Sequence, residues 1–423
     1  MTTRRRLLHG AAVAVAGIAL LAAAGPGAGA VPAPAPAGLP PIKHVFVIVL
    51  ENENAETTFG PGSPAPYLSN TLPAQGELLQ QYFATGHASL DNYISMISGQ
   101  APNAVTQSDC VVYLDFLPPV AVPLTDGQAV GQGCVLPSGV TTLPDQLEAT
   151  GRTWRGYMED MHTPCRHPVL NSVDSTQAAK VGDQYAARHN PFVYFHSIID
   201  DDASCRQHVV DLSALTADLA TVGSTPGFSF ITPSLCHDGH DAPCVDGQPG
   251  GLTSADAFLK AWVPKILASP AYQQDGMLLI TFDEAEVDDA TACCGEVPGP
   301  NSPLPGLTGA GGGRVGAVVL SKYVTPGTVN VTPYNHYSLL RSLEDLFGVP
   351  HLGFAAAAGL RPFGSDVFNA SGAAPTTTAA VTTTAPRSGR TLPATGRATP
   401  VVAIAVLLGG AGLGLALRRR IHA

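Results

Sequence analysis

The stretch Ile42-Lys43-His44-Val45-Phe46-Val47-Ile48-Val49-Leu50-Glu51-Asn52 decides the fold. Its apolar part is short, uninterrupted and rich in β-branched residues, which is typical of a strand buried on both faces of a parallel sheet. Three further apolar runs have the same character, and helical patterns lie between them. Strands alternating with helices predict an α/β fold, a doubly wound and mostly parallel sheet with helices on both faces. The predicted strands are 44–50, 227–232, 277–282 and 314–320, and the predicted helices are 92–97, 209–220, 254–268 and 337–347.

Polar side chains follow three of the predicted strands. In a doubly wound sheet, ligands bind beyond the carboxyl ends of the strands, so these groups are expected on one rim. A single acid after a strand is more often a solvated loop residue, but three strands that deliver such groups together indicate a functional site. The groups are Glu51 and Asn52, then Asp238 and His240, then Asp283 and Glu284.

Ser89 is a candidate nucleophile. It lies in Thr85-Gly86-His87-Ala88-Ser89-Leu90-Asp91-Asn92-Tyr93, where a glycine-containing loop turns into a helix. The N-terminus of a helix favours both an alkoxide and a bound phosphate, and metal coordination would lower the pKa of the hydroxyl further. Carboxylate and amide oxygens are the hard ligands that would hold such a metal. For an isolated serine, a helix N-cap would be the simpler interpretation.

The N-terminal segment, residues 1–30, has the order of a secretory signal peptide. Arginines occupy positions 4–6, an apolar run follows at 11–24, and small residues lie at 28–30. This order predicts export of the protein. The arginines also fit a twin-arginine signal, and both that route and general secretory export remain open.

Residues 392–423 combine Leu392-Pro393-Ala394-Thr395-Gly396 with an apolar stretch and a basic tail. This arrangement resembles the sortase signal of Gram-positive surface proteins. The resemblance implies cleavage after Thr395 and attachment to peptidoglycan at the cell surface, with membrane contact only through the uncleaved C-terminal segment. A plain C-terminal membrane helix would explain the apolar stretch and the basic tail, but not the pentapeptide. Residues 370–391, rich in Ala and Thr, cannot form a core and are interpreted as a wall-crossing stalk or an ordinary linker.

The charge of the chain is strongly acidic. Its formal net charge is −11. The two end segments, residues 1–30 and 392–423, hold seven arginines and no acid. Without them, 15 basic and 33 acidic residues remain, which gives a net charge of −18. An acidic surface argues against nucleic acid as a partner. An anionic substrate would therefore be attracted locally, by a metal ion or a helix N-terminus. Residues 39–368, between the ends, are long enough for one large α/β domain.

Eight cysteines in an exported chain predict disulfide bonds, because the outside of the cell is oxidising. Their connectivity does not follow from the sequence. The adjacent residues Cys293 and Cys294 are expected not to bond each other, on geometric grounds, and each is expected to reach another partner.

Four segments occur together in a recognisable order: 42–52, quoted above, Gly86-His87-Ala88-Ser89-Leu90-Asp91-Asn92-Tyr93 through Gly99, Ile280-Thr281-Phe282-Asp283-Glu284, and Asn335-His336-Tyr337-Ser338-Leu339-Leu340-Arg341. Across residues 41–366 the chain resembles the bacterial phosphoesterase family. That family holds secreted acid phosphatases and bacterial phospholipases C, within the alkaline-phosphatase-like superfamily, so the resemblance implies an alkaline-phosphatase-like fold.

The resemblance also implies a metal site and a nucleophile. A divalent metal ion would be bound by Glu51, Asn52, Asp283 and Glu284, and Ser89 would form a phosphoseryl intermediate. Whether one or two ions are bound, and which metal, stays open.

Further roles implied by the resemblance are less sharply divided. Asp238, His240 and His336 match positions that hold a second metal or, in single-metal members, contact phosphate and assist the leaving group. His87 and Asn92 are expected to touch phosphoryl oxygens, although a structural histidine at a helix start is a close alternative for His87.

Asp91 departs from the family pattern, because relatives usually have proline there, and it adds negative charge next to Ser89. The other histidines have no match in the family and are interpreted as structural. They are His162, His167, His189, His196, His208 and His237.

The implied function is hydrolysis of phosphate monoesters, as in an acid phosphatase, with small phosphates or phosphoinositide head groups as substrates. A phospholipase C-like phosphodiesterase is the alternative within the family, although such members usually carry further C-terminal domains. A catalytically inactive, wall-displayed binding protein is the alternative from another class, and the retained set of candidate ligands argues against it. A sulfatase is excluded because no Cys-x-Pro-x-Arg or Ser-x-Pro-x-Arg segment surrounds the nucleophile.

Overall fold

The computed structural model describes residues 38–118, 124–294, 296 and 298–369. The predicted signal peptide, stalk and sortase signal lie outside these residues. Within the described ranges, no helix combines the length and the apolar character needed to cross a membrane.

An eight-stranded sheet forms the centre of the described chain. Its strands are β1 (His44–Leu50), β2 (Glu77–Leu79), β3 (Trp154–Met158), β4 (Val209–Asp211), β5 (Phe228–Thr232), β6 (Gly276–Phe282), β7 (Ala317–Ser321) and β8 (Thr328–Asn330). They lie in the order β8-β2-β7-β6-β1-β5-β3-β4. The five strands from β6 to β4 are parallel to one another. As predicted, β1 is buried along its whole length and has parallel neighbours on both sides.

Helices cover both faces of the sheet. The main ones are α1 (Ser89–Ser98), α2 (Leu143–Ala149), α3 (Gly251–Ala268), α4 (Pro270–Asp275) and α5 (His336–Phe347). The ring of Phe46 packs 6.5 Å from that of Tyr272 on α4, and the ring of Phe228 packs 6.5 Å from that of Phe347 on α5. Because Val45, and not Phe46, is in register with Phe228, these two contacts lie on opposite faces. The predicted α/β fold is confirmed.

Shorter elements connect the main ones. The short helical segments are Ala55–Phe59, Tyr67–Thr71, Leu72–Gln75, Thr106–Ser108, Ala187–His189, Pro191–Tyr194, His196–Ile199, Asp202–His208, Leu212–Ala214, Leu215–Asp218 and Gly353–Ala356. Two small sheets pair Tyr82–Phe83 with Tyr334–Asn335 and Leu124–Thr125 with Gln128–Ala129. The first of these sheets joins the segment before α1 to the segment before α5.

The predicted parallel strand at 314–320 has the wrong direction. The strand that forms, β7, is antiparallel to both β6 and β2. A parallel return needs a crossover connection, usually a helix, and the described residues between β6 and β7 contain no helix. The chain therefore turns back beside β6.

The predicted helix at 209–220 is also wrong. Val209 and Val210 pair with Gly156 and Tyr157 as part of β4, and only Leu215–Asp218 forms an α-helix. Burying two β-branched side chains in the last strand of the parallel set outweighs the helical spacing of the apolar residues.

The eight cysteines form four disulfides: Cys110–Cys134, Cys165–Cys205, Cys236–Cys244 and Cys293–Cys294. The expectation that Cys293 and Cys294 would not bond each other is wrong. Limits on the Cα separation describe cysteines that the fold brings together. The Cα atoms of these sequence neighbours lie 3.7 Å apart, and the disulfide closes a small ring that includes the peptide bond between them.

Glu344 is a buried acid on α5. Its Oε1 accepts a hydrogen bond from Leu352 N at 2.8 Å, and its Oε2 has no hydrogen-bond partner within the described residues. Burial raises the pKa of Glu344 to about 9, although the Leu352 amide and Arg341 act in the opposite direction. In the unfolded chain a glutamate ionises near pH ~4.3. The unfolded chain therefore releases the proton first, and the free energy of unfolding falls as the pH rises between these two values.

We expect Glu344→Gln to raise the free energy of unfolding by about 2 kcal/mol at pH 8 and to change it little at pH 4. Glutamine keeps the oxygen that accepts from Leu352 but has no proton to lose. Chemical denaturation at the two pH values measures the difference. Asp202→Asn, at an exposed acid paired with Arg206, is the control and should change the free energy of unfolding by less than about 1 kcal/mol at either pH. An equal effect of Glu344→Gln at both pH values would contradict the prediction.

Candidate active site

Carboxylates from two neighbouring strands meet at the carboxyl end of the sheet. Glu51 and Asn52 follow β1, and Asp283 and Glu284 follow β6. The Asn52 amide donates to Asp283 Oδ1 at 3.2 Å, and Asn52 Nδ2 donates to Glu51 Oε1 at 3.2 Å. Asn52 has a φ of 56°, a left-handed conformation that asparagine tolerates. The structure thus brings Glu51, Asn52 and Asp283 together, while the carboxylate of Glu284 contacts His87.

Ser89 lies beside this group. It is the first residue of α1 and is 2% exposed, and its Oγ donates a hydrogen bond to Glu51 Oε1 at 3.0 Å. The next amide, Leu90 N, donates to Asp109 Oδ1 at 3.0 Å. Ala88, and not Ser89, occupies the N-cap position, so the N-cap interpretation of Ser89 is not supported.

Asn92 holds the loop that precedes Ser89. Its Oδ1 accepts from Thr85 N and Gly86 N, each at 2.9 Å, and its Nδ2 donates to Gly86 O at 2.9 Å and Ala88 O at 3.2 Å. All its hydrogen-bonding groups therefore face the loop backbone. This placement does not support the predicted contact of Asn92 with a phosphoryl oxygen and assigns it to shaping the loop.

Two predicted histidines contact the candidate ligands. His87 Nδ1 lies 2.9 Å from Glu284 Oε2, while its Nε2 is buried without a hydrogen-bond partner in the described chain. His336 Nε2 donates to the carbonyl oxygen of Asp283 at 2.6 Å, and its Nδ1 lies 3.0 Å from the hydroxyl of Tyr82. Since a carbonyl oxygen only accepts, Nε2 of His336 carries a proton, and burial lowers the pKa of His336 to about 4, which favours the neutral ring. Both nitrogens of His336 are thus engaged inside the protein.

Asp238 and His240 separate in the structure. Asp238 is fully buried, and its backbone oxygen accepts from Glu51 N at 2.8 Å. The His240 imidazole is half-exposed and lies 3.3 Å from Asp241 Oδ1. That contact, against the opposing effect of burial, raises the pKa of His240 to about 9. Asp238 therefore belongs to the buried group, and His240 lies at its rim.

His189 and Arg188 are site residues that the sequence analysis missed. His189 was interpreted as structural, yet its Nε2 lies 3.1 Å from Glu51 Oε1 and its Nδ1 lies 3.7 Å from Asp238 Oδ2. Its ring stacks on Tyr93 of α1, with centroids 5.3 Å apart and planes at 14°. Arg188 Nη2 lies 3.7 Å from Glu51 Oε1. The available signal was the adjacent basic pair followed by Asn190-Pro191, in a segment that follows no predicted strand.

The electrostatics of the site are those of crowded buried acids. Burial and the nearby Glu51 carboxylate raise the pKa values of Asp238 and Asp283 well above the ordinary range. Burial and Asp283 do the same for Glu284. Burial alone would raise the pKa of Glu51 too, but His189 and Arg188 lower it well below its ordinary value.

This donor set fits a divalent metal ion. Within the described residues, Glu51 Oε2, Asp238 Oδ2 and Asp283 Oδ2 are buried without a hydrogen-bond partner, which is costly unless a cation compensates. One ligand atom each from Glu51, His189 and Asp283 lie within 4.8 Å of one another. Carboxylate oxygens and an imidazole suit several divalent ions, so the donors leave the identity open.

Residues 64–350 match the Phosphoesterase family. By its fold and site, the chain is an α/β protein in which buried acids lie beside a serine at the start of a helix. The match over residues 64–350 then gives the family. The chain belongs to the Phosphoesterase family, as the sequence predicts.

Named relatives are similar over most of this chain. A phosphate-repressible acid phosphatase of Penicillium chrysogenum is 28% identical over 72% of this chain and 59% of its own length. A phosphatidylinositol-3-phosphatase of Mycobacterium tuberculosis is 28% identical over 76% of this chain and 82% of its own length. The chain thus matches about three-fifths of the fungal relative, at 59%. Among solved structures, a protein in the alkaline phosphatase superfamily from Vibrio parahaemolyticus covers 75% of this chain and 69% of its own, with 13% identity and a TM-score of 0.44.

Proposed function

We propose that this chain is a metal-dependent phosphoesterase that hydrolyses phosphate monoesters through a phosphoseryl intermediate. The observation that carries the proposal is the 3.0 Å hydrogen bond from Ser89 Oγ to Glu51 Oε1, beside buried acids whose unpaired oxygens suit a cation. The acid phosphatase and phosphatidylinositol-3-phosphatase relatives support the same class of reaction.

In the proposed reaction, Ser89 Oγ attacks phosphorus and gives up its proton on the side of Glu51 Oε1, and the departing ester oxygen takes a proton from solvent. A new bond forms between Oγ and phosphorus, and the bond between phosphorus and the ester oxygen breaks. Water then attacks phosphorus, the bond between Oγ and phosphorus breaks, and one proton of the water returns to Oγ as phosphate leaves. Glu51, Asp283 and their neighbours would hold a divalent ion, which would supply positive charge to the phosphoryl oxygens. His336 holds the backbone of Asp283 in place through its 2.6 Å hydrogen bond.

We also propose that the enzyme works outside the cell, exported by residues 1–30 and attached to the wall at Thr395. The order of charged, apolar and small residues in the first segment supports export. The pentapeptide 392–396, followed by an apolar stretch and a basic tail, supports attachment. Cell-wall fractionation of the wild type and of Thr395→Ala tests this proposal. The wild type should be found in the peptidoglycan-linked fraction, and the variant should be absent from it.

The enzymatic proposal is tested with the chain from residue 31 to Thr395. An aryl monophosphate and an aryl phosphocholine diester are offered between pH 4 and 9, with and without chelator and with single divalent metals added back. Chelator-sensitive release of phosphate from the monoester is the expected result. Cleavage of the diester alone would replace the proposal by a phospholipase C-like activity. Metal binding without cleavage of either ester would favour a binding protein.

A further inference from the structure

We propose that Arg188 binds a non-bridging phosphoryl oxygen of the substrate and gives the site its preference for phosphate monoesters over diesters. This inference rests on the proposed function and names the residue that would select the substrate class. It begins from a guanidinium buried among acids in a protein of strongly negative charge.

The position of Arg188 is fixed by the short helix Ala187–His189, which also carries His189 into the site. The Arg188 side chain is 10% exposed. Its Nη1 donates to the backbone oxygen of Gln177 at 3.0 Å. Its Nη2 lies 3.7 Å from Glu51 Oε1, beyond hydrogen-bonding distance. A guanidinium has five donors, and Gln177 takes one of them, so the contact with Glu51 leaves donors available.

The guanidinium and the nucleophile approach the same atom. Ser89 Oγ lies 3.0 Å from Glu51 Oε1, and Arg188 Nη2 lies 3.7 Å from that same oxygen. Both groups therefore lie within a few ångströms of one carboxylate oxygen, and a phosphorus atom placed for attack by Ser89 would have a non-bridging oxygen within reach of the Arg188 guanidinium. The fork of an arginine matches two oxygens of a phosphoryl group.

Charge explains why an anion should complete this arrangement. An arginine side chain stays charged in proteins, and the guanidinium of Arg188 faces the Glu51 carboxylate without a hydrogen bond to it. A divalent cation bound to Glu51 would satisfy that carboxylate and weaken its attraction for Arg188. The guanidinium would then be a buried positive charge that needs another anion.

The same reasoning separates monoesters from diesters. A monoester dianion spreads two negative charges over three non-bridging oxygens, whereas a diester has one charge over two. Repulsion from the buried acids is therefore greater for the monoester, and so is its gain from Arg188. Removing the guanidinium should cost the monoester more.

The test compares Arg188→Gln and Arg188→Lys with the wild type. We measure kcat/KM for an aryl monophosphate and for the methyl ester of that aryl phosphate, and the inhibition constant of inorganic phosphate. For Arg188→Gln we expect monoester kcat/KM to fall about 100-fold and diester kcat/KM by about 10-fold or less, with weaker inhibition by phosphate. Arg188→Lys keeps the charge but not the forked donor geometry, so its monoester kcat/KM should fall between those of the wild type and Arg188→Gln. It should retain the native fold if Arg188→Gln does not.

Arg155→Gln is the control. Arg155 is also an ion-paired arginine, 2.6 Å from Asp218, but it lies near the amino end of β3, away from the site. Its kinetics should match the wild type. Equal losses on both esters in folded variants with normal metal content, or no loss at all, would overturn the role of Arg188. A wild type that cleaves neither ester would instead remove the proposed function.

Discussion

Ser89→Ala is expected to lower kcat for an aryl monophosphate by about 10,000-fold or more, because removal of a nucleophile abolishes the covalent route. The substitution removes one hydroxyl, which donates a single hydrogen bond to Glu51, and it leaves the buried methylene carbon in place. The thermal midpoint should therefore change little. Steady-state kinetics on purified protein, with metal content measured in parallel, checks this. Rapid acid quenching should also trap radiolabelled phosphate on the wild type and not on the variant.

Ser98→Ala is the matched control, since Ser98 lies on the same helix and its hydroxyl donates to Ile94 O at 2.7 Å. This variant should keep wild-type kinetics, with at most a small loss of stability. If Ser89→Ala retains activity near that of Ser98→Ala, Ser89 is not the nucleophile and the phosphoseryl intermediate must be abandoned.

Asp283→Asn is expected to reduce both metal content and activity, with kcat/KM falling about 1,000-fold. Asparagine can still accept the hydrogen bonds from the amides of Asn52 and Glu284, so the local backbone should be retained. With metal present, the wild type should be more stable than Asp283→Asn, and in chelator this order should reverse. The variant should then unfold at a higher temperature than the wild type, because one of the crowded carboxylates has lost its charge. Metal analysis and thermal unfolding with and without chelator measure the two effects.

Asp256→Asn separates loss of the metal from loss of any buried acid. Asp256 is buried and accepts from Tyr67 N and Leu68 N at 2.9 Å, away from the site. Its replacement should lower stability but leave metal content unchanged. A chelator-treated Asp283→Asn protein that is less stable than the chelated wild type would contradict the assignment of Asp283 to a repulsive metal site.

The parts of the site that follow strands were predictable from the sequence. A strand buried on both faces, such as β1, has a plain signature, and parallel strands end on one rim, so Glu51 and Asp283 could be placed together without coordinates. Ser89 was found because a glycine-containing loop leads into a helix with a clear pattern. The direction of β7 was not predictable from its apolar run, because an apolar run carries no information about its neighbours.

Arg188 and His189 escaped prediction for a different physical reason. They lie in a short helix of three residues, Ala187–His189, for which neither strand nor helix periodicity gives a signal. Their position depends on contacts far away in sequence, among them the stacking of His189 on Tyr93. Asn92 shows the converse limit: the family pattern places it near the substrate, but its hydrogen bonds to the backbone before Ser89 emerge only in three dimensions.

The disulfide Cys165–Cys205 encloses the segment that carries Arg188 and His189, and the two cysteines are separated by 40 positions in the sequence. Closing a loop of that size removes chain entropy from the unfolded state worth about 4 kcal/mol in the simplest polymer treatment. That segment thus has a covalent source of stability that the strands do not supply. Residues inside the loop, Arg188 among them, could therefore change with less risk to folding, whereas His189 and the acids that follow β1 and β6 stay tied to metal affinity.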